Sequence, residues 1–206
     1  MKNLTRYSLA LRQVLLSSAL LVAPGVATWA AEASPRTSVA SIAADSLYGL
    51  RVALTDSQGV AFDWREMAGT PVLVTMFYGD CASACPVLIE SLQRTIAELK
   101  PAPGSLKVLM VSLNPKHDTP ASLMHLMHMH KIDGNVFRLA VAADEGQTRA
   151  MAAALQIKYR QLENGEISHN TRVALLNASG EEIASSTQLK STADAGLLVE
   201  LRKALK

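Results

Sequence analysis

Cysteine is nearly absent from this chain: 206 residues hold two, Cys81 and Cys85, set four positions apart. No cysteine lies near the N-terminal segment, which excludes a lipid anchor attached through one. No proline follows Pro120. Charge of either sign is also scarce in excess, with 20 Lys and Arg against 18 Asp and Glu for a formal net charge of +2. A nucleic-acid-binding surface would need a basic patch or stripe, and that balance leaves none. Internal repeats and low-complexity segments are missing as well, which points to one ordinary globular domain.

What is present begins with a leader. Lys2, Arg6 and Arg12 form a basic region, Val14 to Val26 is an apolar stretch broken by Ser17, Ser18, Pro24 and Gly25, and Ala31-Glu32-Ala33 offers a small-residue cleavage site. This pattern predicts a secretory signal over residues 1–33. The competing expectation is an uncleaved anchor, but the uncharged stretch from Gln13 to Ala31 barely reaches the roughly 20 residues of a spanning helix. Either way the domain is expected outside the cytoplasm, in the periplasm or an equivalent compartment, soluble after cleavage or tethered to the inner membrane. Removing residues 1–33 brings the formal charge close to zero. Residues 34–46 read as a small, polar linker and residues 47–206 as the domain.

Along that domain apolar runs alternate with helical periodicity, as βαβ units do. Leu50 to Thr55 predicts a strand closed by a turn at Asp56-Ser57-Gln58-Gly59. Val72 to Phe77 is continuously apolar but for Thr75, as suits a strand buried on both faces. Pro86 suits the first position of a helix capped by Cys85, with Val87, Leu88, Leu92, Ile96 and Leu99 at helical spacing. Leu106 to Leu113 and Val136 to Ala142 predict two more core strands, separated by a helix from Asp118-Thr119-Pro120 to about Lys131. Glu145 to Gln156 reads as a helix. Two hairpins follow around Asn164-Gly165 and Asn177-Ala178-Ser179-Gly180, and a last amphipathic helix spans Ala193 to Leu205. The expected fold is α/β, a central mixed sheet flanked by helices in a thioredoxin-like order.

Cys81 and Cys85 stand in Gly79-Asp80-Cys81-Ala82-Ser83-Ala84-Cys85-Pro86, at the junction of the predicted central strand and the helix after it. Thiolates at the positive end of a helix are stabilised, and their pKa values fall. Such a loop binds a soft metal or performs redox chemistry. A plain structural disulfide is the third reading, but so short a loop removes little entropy from the unfolded chain, so the staple would stabilise weakly. In an exported compartment two neighbouring thiols tend towards a disulfide unless a reductant or a metal holds them.

Three blocks taken together carry a family resemblance. Cys81-Ala82-Ser83-Ala84-Cys85-Pro86 after an apolar strand, Ser112 to Pro120 after the next, and Ser168-His169-Asn170 ahead of Val173 to Gly180 resemble the Sco/SenC family of copper proteins over about residues 47 to 204. The middle block has Asn114-Pro115 where Asp-Pro is usual, and Asn177 stands where the late turn usually has Asp. The resemblance implies a thioredoxin-like fold and copper bound by Cys81, Cys85 and His169. It also implies delivery of that copper to the dinuclear centre of cytochrome c oxidase or another apo-cuproprotein, with a thiol reductant and a copper donor chaperone as further partners. The ligand chemistry agrees: two thiolates and an imidazole suit trigonal Cu(I), and one added oxygen would allow Cu(II). Structural zinc would want four protein ligands.

The alternative is a thiol–disulfide oxidoreductase working through Cys81 and Cys85 on the cysteines of a copper-protein target. Enzymes of the thioredoxin type share a C-x-x-C pair and a cis-proline ahead of a late strand. This chain has C-x-x-x-C, and His169 falls about where that proline would lie. Of the other histidines, His117 reads as a loop residue. The run Met124-His125-Leu126-Met127-His128-Met129-His130 is rich in two copper-ligating side chains. At helical spacing Leu123, Leu126, Met127 and His130 would face inward, leaving Met124, His125 and His128 on the outer face as an accessory metal site. Methionine-rich core packing is the plainer expectation for the same run.

Overall fold

The computed structural model describes residues 45–206 apart from Ala82. The signal or anchor segment expected over residues 1–33 and most of the linker lie outside the described residues. Among the described residues no helix is long and apolar enough to cross a membrane.

The architecture is built outward from one strand. Among the described residues nine strands occur in the order β1 (Ala53–Asp56), β2 (Ala61–Asp63), β3 (Val72–Phe77), β4 (Lys107–Ser112), β5 (Phe137–Ala142), β6 (Tyr159–Gln161), β7 (Ile167–His169), β8 (Val173–Leu176) and β9 (Glu182–Ser186). The described residues also hold four helices interleaved with them: α1 (Ala84–Leu99), α2 (Pro120–Met129), α3 (Glu145–Ala154) and α4 (Ala195–Ala204). Seven strands form a single sheet in the order β2-β1-β5-β4-β3-β8-β9, while β6 and β7 form a separate two-stranded ribbon. β3, β4 and β5 run parallel to one another, and β1, β2, β8 and β9 join by antiparallel pairing. The sheet is therefore mixed, as expected.

All six residues of β3 are buried, which is why its sequence lacks the polar alternation of a half-exposed strand. α1 covers the core with Cys85, Leu88, Ile89 and Leu92, and full burial of each large aliphatic side chain contributes roughly 1.5–3 kcal/mol. α4 is capped by Asp194, whose side chain accepts from the Leu197 amide and whose own amide donates to the Thr95 hydroxyl of α1 at 2.9 Å. α2 is opened by a Thr119–Ser122 capping box with Pro120 in the first turn, the entry its sequence advertises.

Three expectations are corrected. α1 begins at Ala84 with Ser83 in the cap position, so Cys85 lies inside the first turn and Pro86 is the third helical residue. Proline is accommodated there because the amides of a first turn have no partner inside the helix. Short β2 and two 3-10 turns, Leu47–Gly49 and Trp64–Met67, were not foreseen; runs of three or four residues are too short to show a period. Ser46, placed in the linker, is already part of the domain: it is buried, bridges Glu181 and donates its hydroxyl to the Ser179 carbonyl.

The β3–β8 pairing is pinned inside the core. The buried Thr75 hydroxyl donates to the Arg172 carbonyl at 2.7 Å, one residue ahead of β8. Thr75→Val keeps the shape of the side chain and leaves that carbonyl without its donor, a loss of about 1–3 kcal/mol. A urea unfolding curve of the variant should show an unfolding free energy lower by that amount, through a lower midpoint at unchanged slope; an unchanged midpoint would show that the bond does not hold the junction.

Candidate metal centre

Sheet topology explains why residues so distant in sequence meet. β3 and β4 are parallel and in register, with Phe77 opposite Ser112, so the loops leaving their C-terminal ends emerge side by side. β8 runs antiparallel to β3, with Val173 opposite Thr75, so the chain entering β8 arrives at the same edge. The Cys81–Cys85 loop follows β3, the Asn114–Thr119 segment follows β4, and His169 ends β7 just ahead of β8. Ligand atoms of Cys81, Cys85 and His169 all lie within 4.8 Å of one another. The three residues that the sequence singled out are thus brought together. Both cysteines are buried and carry free thiols, at 8% and 3% exposure, and His169 is half-buried.

The cysteines differ in electrostatic setting. Ser83, in the cap position of α1, makes no side-chain capping bond, and the sulfur of Cys81 takes over that role by accepting the Cys85 amide at 3.3 Å. Burial alone would push the Cys81 thiol up. The Cys85 side chain and the amides of Cys85, Ser83 and Ala84 outweigh it, and hold Cys81 below the ordinary thiol range. Cys85 is pushed well above that range, by burial first, then by the Cys81 side chain and its charge, and by Asp118. A hydrogen bond with the Tyr78 backbone works in the opposite direction. One thiolate is favoured by the protein and a second is opposed.

Burial lowers the pKa of His169, partly offset by its bond to Asn170. The ring Nδ1 lies 3.1 Å from the Asn170 carbonyl, and a carbonyl can only accept, so Nδ1 carries the proton and Nε2 keeps its lone pair for a metal. Tyr78 packs edge-on against this ring at 6.0 Å between centroids. Asn170 in turn holds the ribbon to its base: its side chain accepts the Lys158 amide at 2.6 Å and its amide donates to the Lys158 carbonyl at 3.2 Å.

Two further residues organise the loop and the chain ahead of β8. Asp118 is 6% exposed, accepts the Gly79 amide at 3.0 Å and takes a second, short bond from the Ser112 hydroxyl. A side chain at position 79 would run into this carboxylate, so the close approach of the two loops requires glycine there. Arg172 spans from the Leu155 carbonyl to Glu182 and Ser185, fixing the chain between His169 and β8. Asp118 was signalled by its place in the middle block; Arg172 had no sequence signal beyond a charge beside a core strand. His117 is a loop residue bonded to Asn114 at 3.0 Å, as expected.

The Met/His run forms most of α2. Leu123 and Met127 are buried, Leu126 and His130 are half-buried, and His125, His128 and Met129 are exposed with Met124 half-buried. The outer face assigned to Met124, His125 and His128 is therefore the outer face of the helix, and Met129 joins it.

A family model described as SCO1/SenC matches residues 42–204. Among solved structures, the chain is similar to a SCO1/SenC family lipoprotein from Bacillus anthracis at 17% identity and a TM-score of 0.68, covering 76% of this chain and 95% of that one. It is similar to Arabidopsis thaliana ScoI with copper bound at 14% identity and a TM-score of 0.64, covering 74% and 97%. BsSco, described as a Sco-family cytochrome c oxidase assembly protein with a disulfide switch, matches at 13% identity and a TM-score of 0.66, covering 76% and 92%. These likenesses establish the thioredoxin-like fold, and no curated protein matches the chain. With the family match running through nearly the whole of the described domain, the chain belongs to the SCO1/SenC family.

Proposed function

We propose that this protein is an exported copper-binding metallochaperone that holds copper through Cys81, Cys85 and His169 and passes it to an apo-cuproprotein, the dinuclear copper centre of cytochrome c oxidase foremost. The observation that carries the reading is the convergence of two sulfurs and an imidazole nitrogen within 4.8 Å. That donor set fits the cargo: three soft-to-borderline ligands suit Cu(I) and fall one short of a structural zinc site. The copper-bound Arabidopsis relative supports the same reading. The leader over residues 1–33 motivates a periplasmic location, where a thiol reductant is needed to keep the pair open and a donor is needed to load it.

The residues do the work of capture and release. Cys81, already inclined to the thiolate, provides the first attachment. Cys85 gives up its proton as the ion arrives and replaces the repulsion between two thiolates with a shared cation. Burial lowers the pKa of His169, so protons compete less for its ring than for an exposed imidazole. Transfer proceeds by exchange of these ligands, one at a time, for those of the recipient.

A thiol–disulfide oxidoreductase is the second reading, and the split in thiol acidity favours it, since a reactive thiolate beside a buried protonated thiol is also what disulfide exchange uses. The two are separated by assaying Cu(I) uptake and insulin reduction on one preparation in both redox states. A metallochaperone binds copper only when reduced, because a disulfide offers no thiolate, and turns over insulin slowly. Rapid insulin reduction that survives His169→Ala would select the oxidoreductase instead.

For the reduced protein under anaerobic conditions, one tightly bound Cu(I) is expected. Cys81→Ser or Cys85→Ser should abolish tight binding. His169→Ala should weaken it by more than the roughly 10–100-fold that loss of an outer-shell partner costs, without altering the fold. Full affinity in His169→Ala would remove that residue from the ligand set.

The pH dependence follows from the opposed thiols. Cys85 is raised, so it is protonated near neutrality and must release a proton on binding. Apparent Cu(I) affinity should therefore climb at least about tenfold per pH unit near neutrality, one proton per unit of slope. The weak residual binding left in Cys85→Ser should show a slope flatter by about one; an unchanged slope would place the released proton elsewhere.

A further inference from the structure

We propose that the outer face of α2 is a second, surface-exposed Cu(I) site built from Met124, His125, His128 and Met129. It shares no ligand with the Cys81–Cys85–His169 centre and stands independently of the function proposed for that centre.

The argument starts from what α2 lacks. The solvent face of a helix in a globular protein ordinarily carries charged residues, yet Pro120–Met129 contains no Asp, Glu, Lys or Arg. Its inner face is conventional. Leu123 is fully buried, and Met127 is buried with its sulfur accepting the Ser57 hydroxyl at 3.1 Å. Core packing thus accounts for Met127 and leaves Met129 unexplained, with Met124 only half-buried beside it. Met129 is 66% exposed, which forgoes the roughly 1.5–3 kcal/mol that burying such a side chain returns.

The four outer residues occupy positions i, i+1, i+4 and i+5. Met124 and His128 form one i,i+4 pair and His125 and Met129 form the neighbouring one, each with Cβ atoms about 5–6 Å apart. Two thioethers and two imidazoles therefore share one patch, alternating diagonally. Thioether selects a soft ion, and imidazole is acceptable to it, which makes Cu(I) the natural occupant and disfavours Mg(II), Ca(II) or Mn(II).

The scaffold under the patch is fixed at both ends. Thr119 and Ser122 cap the start, and the carbonyls of His130 and Lys131 accept from the Gln93 side chain of α1 at 3.0 and 3.2 Å. The donors project from a helix that cannot easily rewind, and they reach open solvent, so an ion held here is exchangeable.

The test is anaerobic titration of the untagged, reduced full chain with Cu(I) against a chromophoric competitor. Wild type should take two equivalents, the second more weakly. Met124→Leu/His125→Ala/His128→Ala/Met129→Leu should lose the second, and Met124→Leu/Met129→Leu alone should weaken it at least tenfold, with thermal midpoints unchanged. In Cys81→Ser/Cys85→Ser the weaker equivalent should persist alone, so failure of the thiol centre and failure of the helix site read out separately. A single equivalent in wild type, a second equivalent that survives the four changes, or one indifferent to the loss of both thioethers would each overturn the proposal.

Discussion

Everything at the metal centre hangs from the position of β3 between two neighbours of opposite direction. Its parallel register with β4 sets two loops side by side at one end, and its antiparallel pairing with β8 sends the chain that carries His169 to the same end. Neither pairing alone would assemble the cluster. Six consecutive buried residues in β3 commit this strand to the middle of the sheet, because an edge position would leave one side of it in water. The site is thus a consequence of hydrophobic burial in a strand that contributes no ligand to it.

Around that frame the protein sets up an electrostatic imbalance. The open first turn of α1 favours one negative sulfur, while burial first, then the Cys81 side chain and the Asp118 carboxylate, oppose another. A single thiolate is comfortable; a pair is not. A bound cation relieves the imbalance, as does a bond between the two sulfurs. Copper and oxidation are therefore rivals for the same pair of atoms, and the acidity of the thiols is tuned for neither outcome alone. Asp118 belongs to both sides of this arrangement. It raises Cys85 through its charge and simultaneously holds the loop by its bond to the Gly79 amide.

Much of this was legible in the residues. β3, β4 and β5 announced themselves through long apolar runs, and α2 through Thr119-Pro120. The three ligands were legible as ordered blocks rather than as chemistry: nothing in His169 itself separates it from a structural histidine. Ser83 rather than Cys85 caps α1, because proline suits any first-turn position whose amide would have no partner inside the helix and so does not by itself mark the first helical residue. The roles of Tyr78, Asp118 and Arg172 were hidden because each depends on a partner far away in sequence, Arg172 on Leu155 and Glu182, for example. Pairings of that kind exist only once the sheet has closed.

One donor of the three rides on a different kind of element from the others. Cys81 lies just ahead of a sixteen-residue helix and Cys85 in its first turn, whereas His169 ends a two-stranded ribbon outside the main sheet, and an isolated ribbon is marginal in water. Its seat depends on Asn170, Tyr78 and the Arg172 network. The vulnerable target in this gene is accordingly wider than three codons. Inherited or laboratory changes that merely loosen the ribbon would silence the centre while leaving both cysteines and a well-folded core, and such alleles would pass any screen that scores abundance or solubility.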